Sequence, residues 1–335
     1  MSSAPSADEI ARDARWLAQA LDPATGVVRL VAMDRDSYRA ASFLDDRLMQ
    51  LPVDAQLVPW PDVEAALEGE HRSDARWIFH IGHVGSTLVS RLLGEIENVL
   101  AVREPRLLRD LALSPPEVRT GYLRPVPKIM SRTFAAEETA CVKATSFASE
   151  IAADLVPPGE RVLLMHARPR NYVASILAGE NSVKEVRALA DYRRERLETH
   201  GIALPPVSTD AERAAAAWAC EMATLVRAAD AMADRHIAWA DFDALVADLV
   251  PELERIVAHF GLAADPHSVE AIARGPLMQR YSKALEYEYS PALRDELIAQ
   301  AIRDHGSEVD AALAMLRSLA DKSSLVERAL RRAGD

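Results

Sequence analysis

From residue 75 onward, short apolar runs alternate with longer stretches of helical periodicity. The runs are Trp77 to Ile81, Val99 to Val102, Ala140 to Val142, Val162 to Met165 and Ile237 to Ala240. Runs this short and this apolar, bounded by helical segments, have the pattern of strands buried on both faces, and their alternation with helices predicts a parallel sheet. Upstream, residues 7 to 21 read as one helix with Ile10, Ala14, Leu17 and Leu21 on one face. Pro23-Ala-Thr-Gly26 then turns the chain into a short strand, Val27 to Val31. Two long helical patterns, 183 to 200 and 209 to 234, are rich in Ala, Arg and Glu and separated by Gly201 and Pro205-Pro206. They read as a helical insertion or lid. After residue 241 the chain is nearly all helix, ending in the charged segment Val326 to Arg332, a solvated face.

This pattern predicts an α/β fold of three layers, with a central parallel sheet of about five strands, a helical insertion and a helical C-terminal region. The expected organisation is an N-terminal appendage (1–74) packed on a core (75–262, with the insertion at 183–234), followed by C-terminal helices and a closing loop (263–335). A chain of 335 residues holds all of this in one structural domain.

Charge and cysteine content narrow the function. With 39 basic against 51 acidic residues the net charge is −12, which argues against a partner made of nucleic acid or an anionic membrane surface, so any positive site is local. Cys141 and Cys220 lie in apolar segments without metal-ligand or disulfide-framework spacing and read as buried thiols. The N-terminal residues lack a basic and apolar leader pattern, and no 18-residue apolar run occurs. The expectation is a cytoplasmic protein without an integral membrane segment. Its apolar, arginine-rich helices also suit a homodimer.

The candidate chemistry starts where the first core strand runs into a glycine turn, Phe79-His-Ile-Gly-His-Val-Gly-Ser-Thr-Leu-Val-Ser-Arg-Leu-Leu93. Backbone N–H groups from Gly82, His83, Val84, Gly85, Ser86 and Thr87, at the positive end of a helix, make a cradle for an oxyanion. The nucleotidase pattern G-x-x-x-x-G-K-[ST] would require glycine at His80 and lysine at Ser86, and both are missing. In an open parallel sheet, ligands bind beyond the carboxyl ends of the strands. The residues there are Arg103-Glu104-Pro105, Lys143 to Ser146, His166 to Arg170 and Asp241. Basic groups, carboxylates and a glycine turn converging on one crevice suit a ligand with several negative charges and a proton to move.

Four segments resemble the sulfotransferases that use 3′-phosphoadenosine 5′-phosphosulfate, an α/β family related in fold to P-loop nucleotide kinases. The glycine turn is similar to the family's 5′-phosphosulfate loop. Val162-Leu-Leu-Met-His-Ala-Arg-Pro-Arg-Asn-Tyr-Val-Ala-Ser175 is similar to its 3′-phosphate segment. His236 to Leu245 through Phe260-Gly-Leu262 is similar to its last strand and helix, and Val102-Arg-Glu-Pro105 to the Glu-Pro turn of many bacterial members. The likeness spans about residues 77 to 262 and leaves out the first 70.

The resemblance implies a transferase whose co-substrate is 3′-phosphoadenosine 5′-phosphosulfate, with no metal expected. The acceptor is a hydroxyl or amine of a small-molecule or lipid-like compound. It implies that Ser86 and Thr87, with the loop N–H groups, hold the 5′-phosphate, and that His83 stands where the family has Lys or Arg beside the leaving group, a role that requires its protonated form. Lys143 would reach the sulfuryl group and Glu104 would serve as general base. Arg168 and Ser175 would grip the 3′-phosphate, with Arg170 and His166 as substitutes because the Arg-to-Ser spacing is one residue short of the family's. Arg280 and Lys283, in Gln279-Arg-Tyr-Ser-Lys283, fall where members close a basic loop, and Tyr287 and Tyr289 are candidates to line an acceptor pocket. Trp218 and Trp239 read as core. Two other functions compete: an ATP-dependent P-loop phosphotransferase, and a binding protein that keeps the fold without catalysis.

Overall fold

The computed structural model of the chain describes residues 5–279 and 290–334. Two sheets organise it. The N-terminal one is antiparallel, in the order β1 (Trp16–Asp22), β2 (Val27–Ala32), β3 (Ala55–Pro59). The second is wholly parallel and contains all five strands expected from the apolar runs: β4 (Arg76–His80), β5 (Val99–Arg103), β6 (Thr139–Lys143), β7 (Arg161–His166) and β8 (His236–Asp241). Their order across the sheet is β5-β6-β4-β7-β8. Trp77, Ile78 and Phe79 of β4 and Val162 to Met165 of β7 are fully buried, because helices cover the sheet and leave no solvent face to impose alternation. The protein is thus an α/β fold with a five-stranded parallel sheet.

The single helix expected over residues 7 to 21 is instead a short helix, Ala7–Arg12, and strand β1. Asp13 is extended and accepts from the Arg15 N–H at 2.7 Å, and Arg132 donates to the carbonyls of Ile10 and Trp16 on either side of the break. β1 then pairs with β2 from Trp16↔Ala32 to Asp22↔Val27. Trp16, Leu17, Ala18, Gln19 and Leu21 are all buried. A strand covered on both sides shows no period of two, so the helical spacing of Leu17 and Leu21 carried no information.

The helical segments also differ from expectation. After the loop helix α1 (Ser86–Gly94) and α2 (Pro169–Leu177), the predicted helix 183 to 200 is two helices, α3 (Glu180–Ala188) and α4 (Ala190–Thr199), broken at Leu189 (φ −100°, ψ 7°). The bend lets Val186 and Leu197 both reach the core. α5 (Asp210–Ala231) begins at a Thr209/Glu212 capping box. It is not a lid. Ala214, Ala215, Ala217, Trp218, Ala219 and Cys220 are fully buried, and the helix packs against α2, α4 and the C-terminal helices Pro291–Ala320 and Ser324–Ala333. Its alanines allow close approach, and its largest side chain, Trp218, donates its indole N–H to the Ala167 carbonyl at 2.9 Å. Trp239 is only half-buried, with the Arg332 guanidinium 5.0 Å from its ring. Cys141 and Cys220 are buried free thiols, as their apolar settings predicted. Among the described residues no helix is long and apolar enough to cross a membrane.

Candidate functional site

β4 delivers the chain into the glycine turn, which uses left-handed backbone at Gly82 (φ 77°), His83 (φ 53°) and Gly85 (φ 63°) before α1 begins at Ser86. Gly85 has no substitute: a Cβ there would lie 2.0 Å from the Phe242 ring. Val84 is fully buried, so only its backbone faces the turn. The first intrahelical bond runs from the Val89 N–H to the Gly85 carbonyl at 3.0 Å, which leaves the N–H groups of Ser86, Thr87 and Leu88 without a helical acceptor. Donors and helix dipole point to one place, which is the electrostatic requirement for holding an oxyanion.

Beside the turn, β5 and β6 end together with Arg103 opposite Lys143. The next residue, Glu104, takes a left-handed backbone (φ 52°) and donates its N–H to the Lys143 carbonyl at 2.8 Å. The Lys143 ammonium, 1% exposed, rests on Glu104 Oε1, and His80 Nε2 lies 3.7 Å from the same oxygen. His80 Nδ1 accepts the Gly82 N–H at 2.9 Å, which assigns the ring proton to Nε2, toward Glu104. Burial alone would push the Glu104 carboxyl up; Lys143, then His80, hold it well below the usual carboxylate range.

His83 belongs to a second ion network. Its Nε2 is 3.1 Å from Glu185 Oε2, and its Nδ1 is 3.4 Å from Ser182 Oγ, both on α3. Glu185 Oε1 continues to Arg193 at 3.3 Å, and Arg193 and Arg196 share the buried Glu221. Arg196 and His200 meet on Glu150 at 2.8 and 3.2 Å. Burial would raise the Glu150 carboxyl, but its bond with His200 and the charge of Arg196 bring it down to about 2. This chain of charges ties the glycine turn to α3, α4 and α5.

The two groups meet in a cleft of about 740 Å³. Gly82 to Thr87, Glu104, Lys143, Thr145, Ser146 and Glu185 form its polar part; Phe43, Leu113, Phe147, Ala188 and Leu189 form its apolar part. Arg47, Arg106 and Arg109 also line it, and each is paired with a carboxylate: Arg47 with Asp45, Arg106 with Asp46 and Asp110, and Arg109 with Asp46. That part of the wall carries little net charge. Among the described residues no group of three His, Cys, Asp or Glu side chains is arranged as a metal site.

Of the residues singled out in the sequence, the structure brings together the loop, Glu104 and Lys143. It does not bring Arg168 or Ser175 into the cleft wall. Arg168 is exposed, with its Nε 3.2 Å from Asp241 and its N–H on Asp243 at 3.1 Å, while Ser175 Oγ donates to the Tyr172 carbonyl at 2.8 Å. Arg170 pairs with Asp310. Arg280, Lys283, Tyr287 and Tyr289 lie outside the described residues. Sequence reasoning missed His80 and Glu185. His80 had a signal, since it stands inside the motif where the nucleotidase pattern wants glycine; Glu185 had none, being brought to His83 across 102 residues by tertiary packing.

No family profile matches the chain, and no curated protein matches it. Among solved structures it is similar to the sulfotransferase domain from the curacin biosynthetic pathway, with 11% sequence identity over 79% of this chain and 99% of that one and a TM-score of 0.42.

Proposed function

We propose that this chain is a sulfotransferase that moves a sulfuryl group from 3′-phosphoadenosine 5′-phosphosulfate to a hydroxyl or amine of a small-molecule or lipid-like acceptor. The observation that carries this reading is the pairing of a lysine-free anion turn with Lys143 and Glu104 in one cleft. Sulfuryl transfer needs that combination: donors for a phosphate that leaves, a cation near the leaving oxygen, and a carboxylate to take one proton. A kinase-type loop would carry its own lysine for the transferred phosphoryl group.

In this reading the N–H groups of His83 to Thr87, with the Ser86 and Thr87 hydroxyls, hold the 5′-phosphate. Lys143 and His83 stand nearest the leaving oxygen. Glu104 takes the acceptor proton, and Arg168, Ser175, Arg280 and Lys283 form the 3′-phosphate grip, for which Arg168 has to exchange Asp241 for the ligand. The acceptor occupies the part of the cleft lined by Phe43, Leu113, Phe147 and Leu189. Because the arginines there are already paired, an uncharged, apolar-bodied acceptor fits better than a polyanionic one.

Calorimetry with 3′,5′-adenosine bisphosphate, set against ATP plus Mg²⁺, tests this. Bisphosphate binding, and sulfate transfer to an alcohol, support it; a larger stabilisation by ATP plus Mg²⁺ makes the chain a phosphotransferase. The occupied side chains of His83 and Arg168 favour one other reading, a binding protein. Tight bisphosphate binding with no transfer to a broad acceptor panel would establish that reading instead.

A further inference from the structure

We propose that Lys143 is an exchangeable partner, contested between the Glu104 carboxylate and the oxyanion of the donor, and that His80 is a positioning residue that keeps Glu104 aimed when the lysine moves to the donor. This inference rests on the sulfuryl-transfer reading and supplies what that reading lacks. A carboxylate locked onto an ammonium is a poor proton acceptor, so Glu104 as it stands in this structure is not an effective base.

Four features lead to the exchange. Lys143 is 1% exposed and its Nζ lies 5.1 Å from the centre of the Phe43 ring. An ammonium desolvated to that degree does not give up one anion unless another replaces it. The only anion the proposed reaction brings there is the donor's phosphosulfate group, since Ser86, Thr87 and Lys143 line the same cleft. Glu104 cannot follow the lysine freely, because its backbone is held in a left-handed conformation by the bond from its N–H to the Lys143 carbonyl at 2.8 Å. His80 already faces the contested oxygen, with Nε2 3.7 Å from Glu104 Oε1 and its orientation set by the Gly82 N–H. A shift of under about 1 Å turns that approach into a hydrogen bond.

The step then balances. The acceptor oxygen forms its bond to sulfur with a lone pair. The bond from sulfur to the bridging phosphate oxygen breaks with its electron pair, which stays on the phosphate beside Lys143. The acceptor proton passes to Glu104, which His80 holds. Base and donor site are therefore coupled: the carboxylate is released only where the donor's anion occupies the turn and takes Lys143.

A double-mutant cycle read by calorimetry with 3′,5′-adenosine bisphosphate tests the exchange. Glu104→Gln removes the competing anion and should tighten binding about fivefold to tenfold, with Glu104→Asn, which tolerates the left-handed backbone, doing the same. In a Lys143→Met background, or Lys143→Gln if the methionine variant does not fold, the Glu104 substitutions should change affinity by less than about twofold. Tightening that is absent, or equally large without the lysine, overturns the exchange. His80→Gln should lower kcat about tenfold or more while leaving bisphosphate affinity unchanged; a parallel loss of affinity, or an unchanged kcat, overturns the positioning role. Failure of the sulfotransferase reading looks different: the unsubstituted protein then gives no heat with the bisphosphate, or binds it and transfers no sulfate to any acceptor of a broad panel.

Discussion

Glu104 and Lys143 are bonded to each other twice, once through the backbone, N–H to carbonyl at 2.8 Å, and once through their side chains as a buried ion pair. The backbone contact is part of the sheet's end; the side-chain contact is chemistry placed on top of it. Removing only one member of such a pair leaves a charge without compensation. Lys143→Met should therefore destabilise the protein by about 3 to 5 kcal/mol, and adding Glu104→Gln should recover most of the loss. Chemical denaturation of the single and double variants measures both.

The glycine turn makes a sharper prediction about shape. Gly85→Ala places a methyl group 2.0 Å from the Phe242 ring on a left-handed backbone, and should cost about 3 kcal/mol or more from overpacking and backbone strain together. Gly82→Ala, also left-handed but with nothing within 4 Å of the new Cβ, should cost only about 1 kcal/mol. Equal losses in thermal melts of the two would show that the Phe242 contact does not fix the turn.

Acid should loosen the network behind the turn. The Glu150 carboxyl lies at about 2 in the folded chain against an ordinary 4.5. A depressed carboxyl contributes stability that is fully present above about pH 4.5 and is lost as the pH falls toward 2. Glu150→Gln should flatten the fall in stability across that window while lowering stability at neutral pH. A pH series of denaturant midpoints that has the same slope for both proteins would assign the acid sensitivity elsewhere.

Neither thiol should be available in the native protein. Burial pushes both Cys141 and Cys220 up to about 12, and the thiolate is the reactive form. Labelling with iodoacetamide at pH 8, read by mass, should modify neither residue in the folded chain and both in denaturant. Rapid native labelling of either would mean that β6 or α5 opens locally.

The anion affinity of the turn should rise when its own carboxylate is removed. Glu185 Oε2 lies 3.1 Å from His83 Nε2 within the cleft. Glu185→Gln should tighten bisphosphate binding about threefold to tenfold at low salt, less at high salt as charges are screened. Titrations at two ionic strengths check the size and the salt dependence together.

What could be read from the sequence was what depends on neighbours in sequence. The five core strands were legible because each is a compact apolar run, and the glycine turn because strand, turn and helix start are contiguous. The helix over 7 to 21 was misread because β1 is buried on both faces and its spacing mimics a helical stripe. The break at Leu189 carries no Gly or Pro and arises from packing on both sides of it. The ion partners were the least legible part. Arg168 pairs with Asp241 and His83 with Glu185 across long separations, and no local pattern announces which carboxylate a cation will find.

The strand order also governs how the chain is put together as it is synthesised. β5 emerges directly after β4, yet β6 lies between them. Until residues 139 to 143 arrive, both earlier strands expose raw hydrogen-bonding edges flanked by apolar side chains, an invitation to sticking between nascent chains. β6 closes that gap and carries Lys143 at its last position, so the same event that joins the two earlier strands brings the lysine to Glu104.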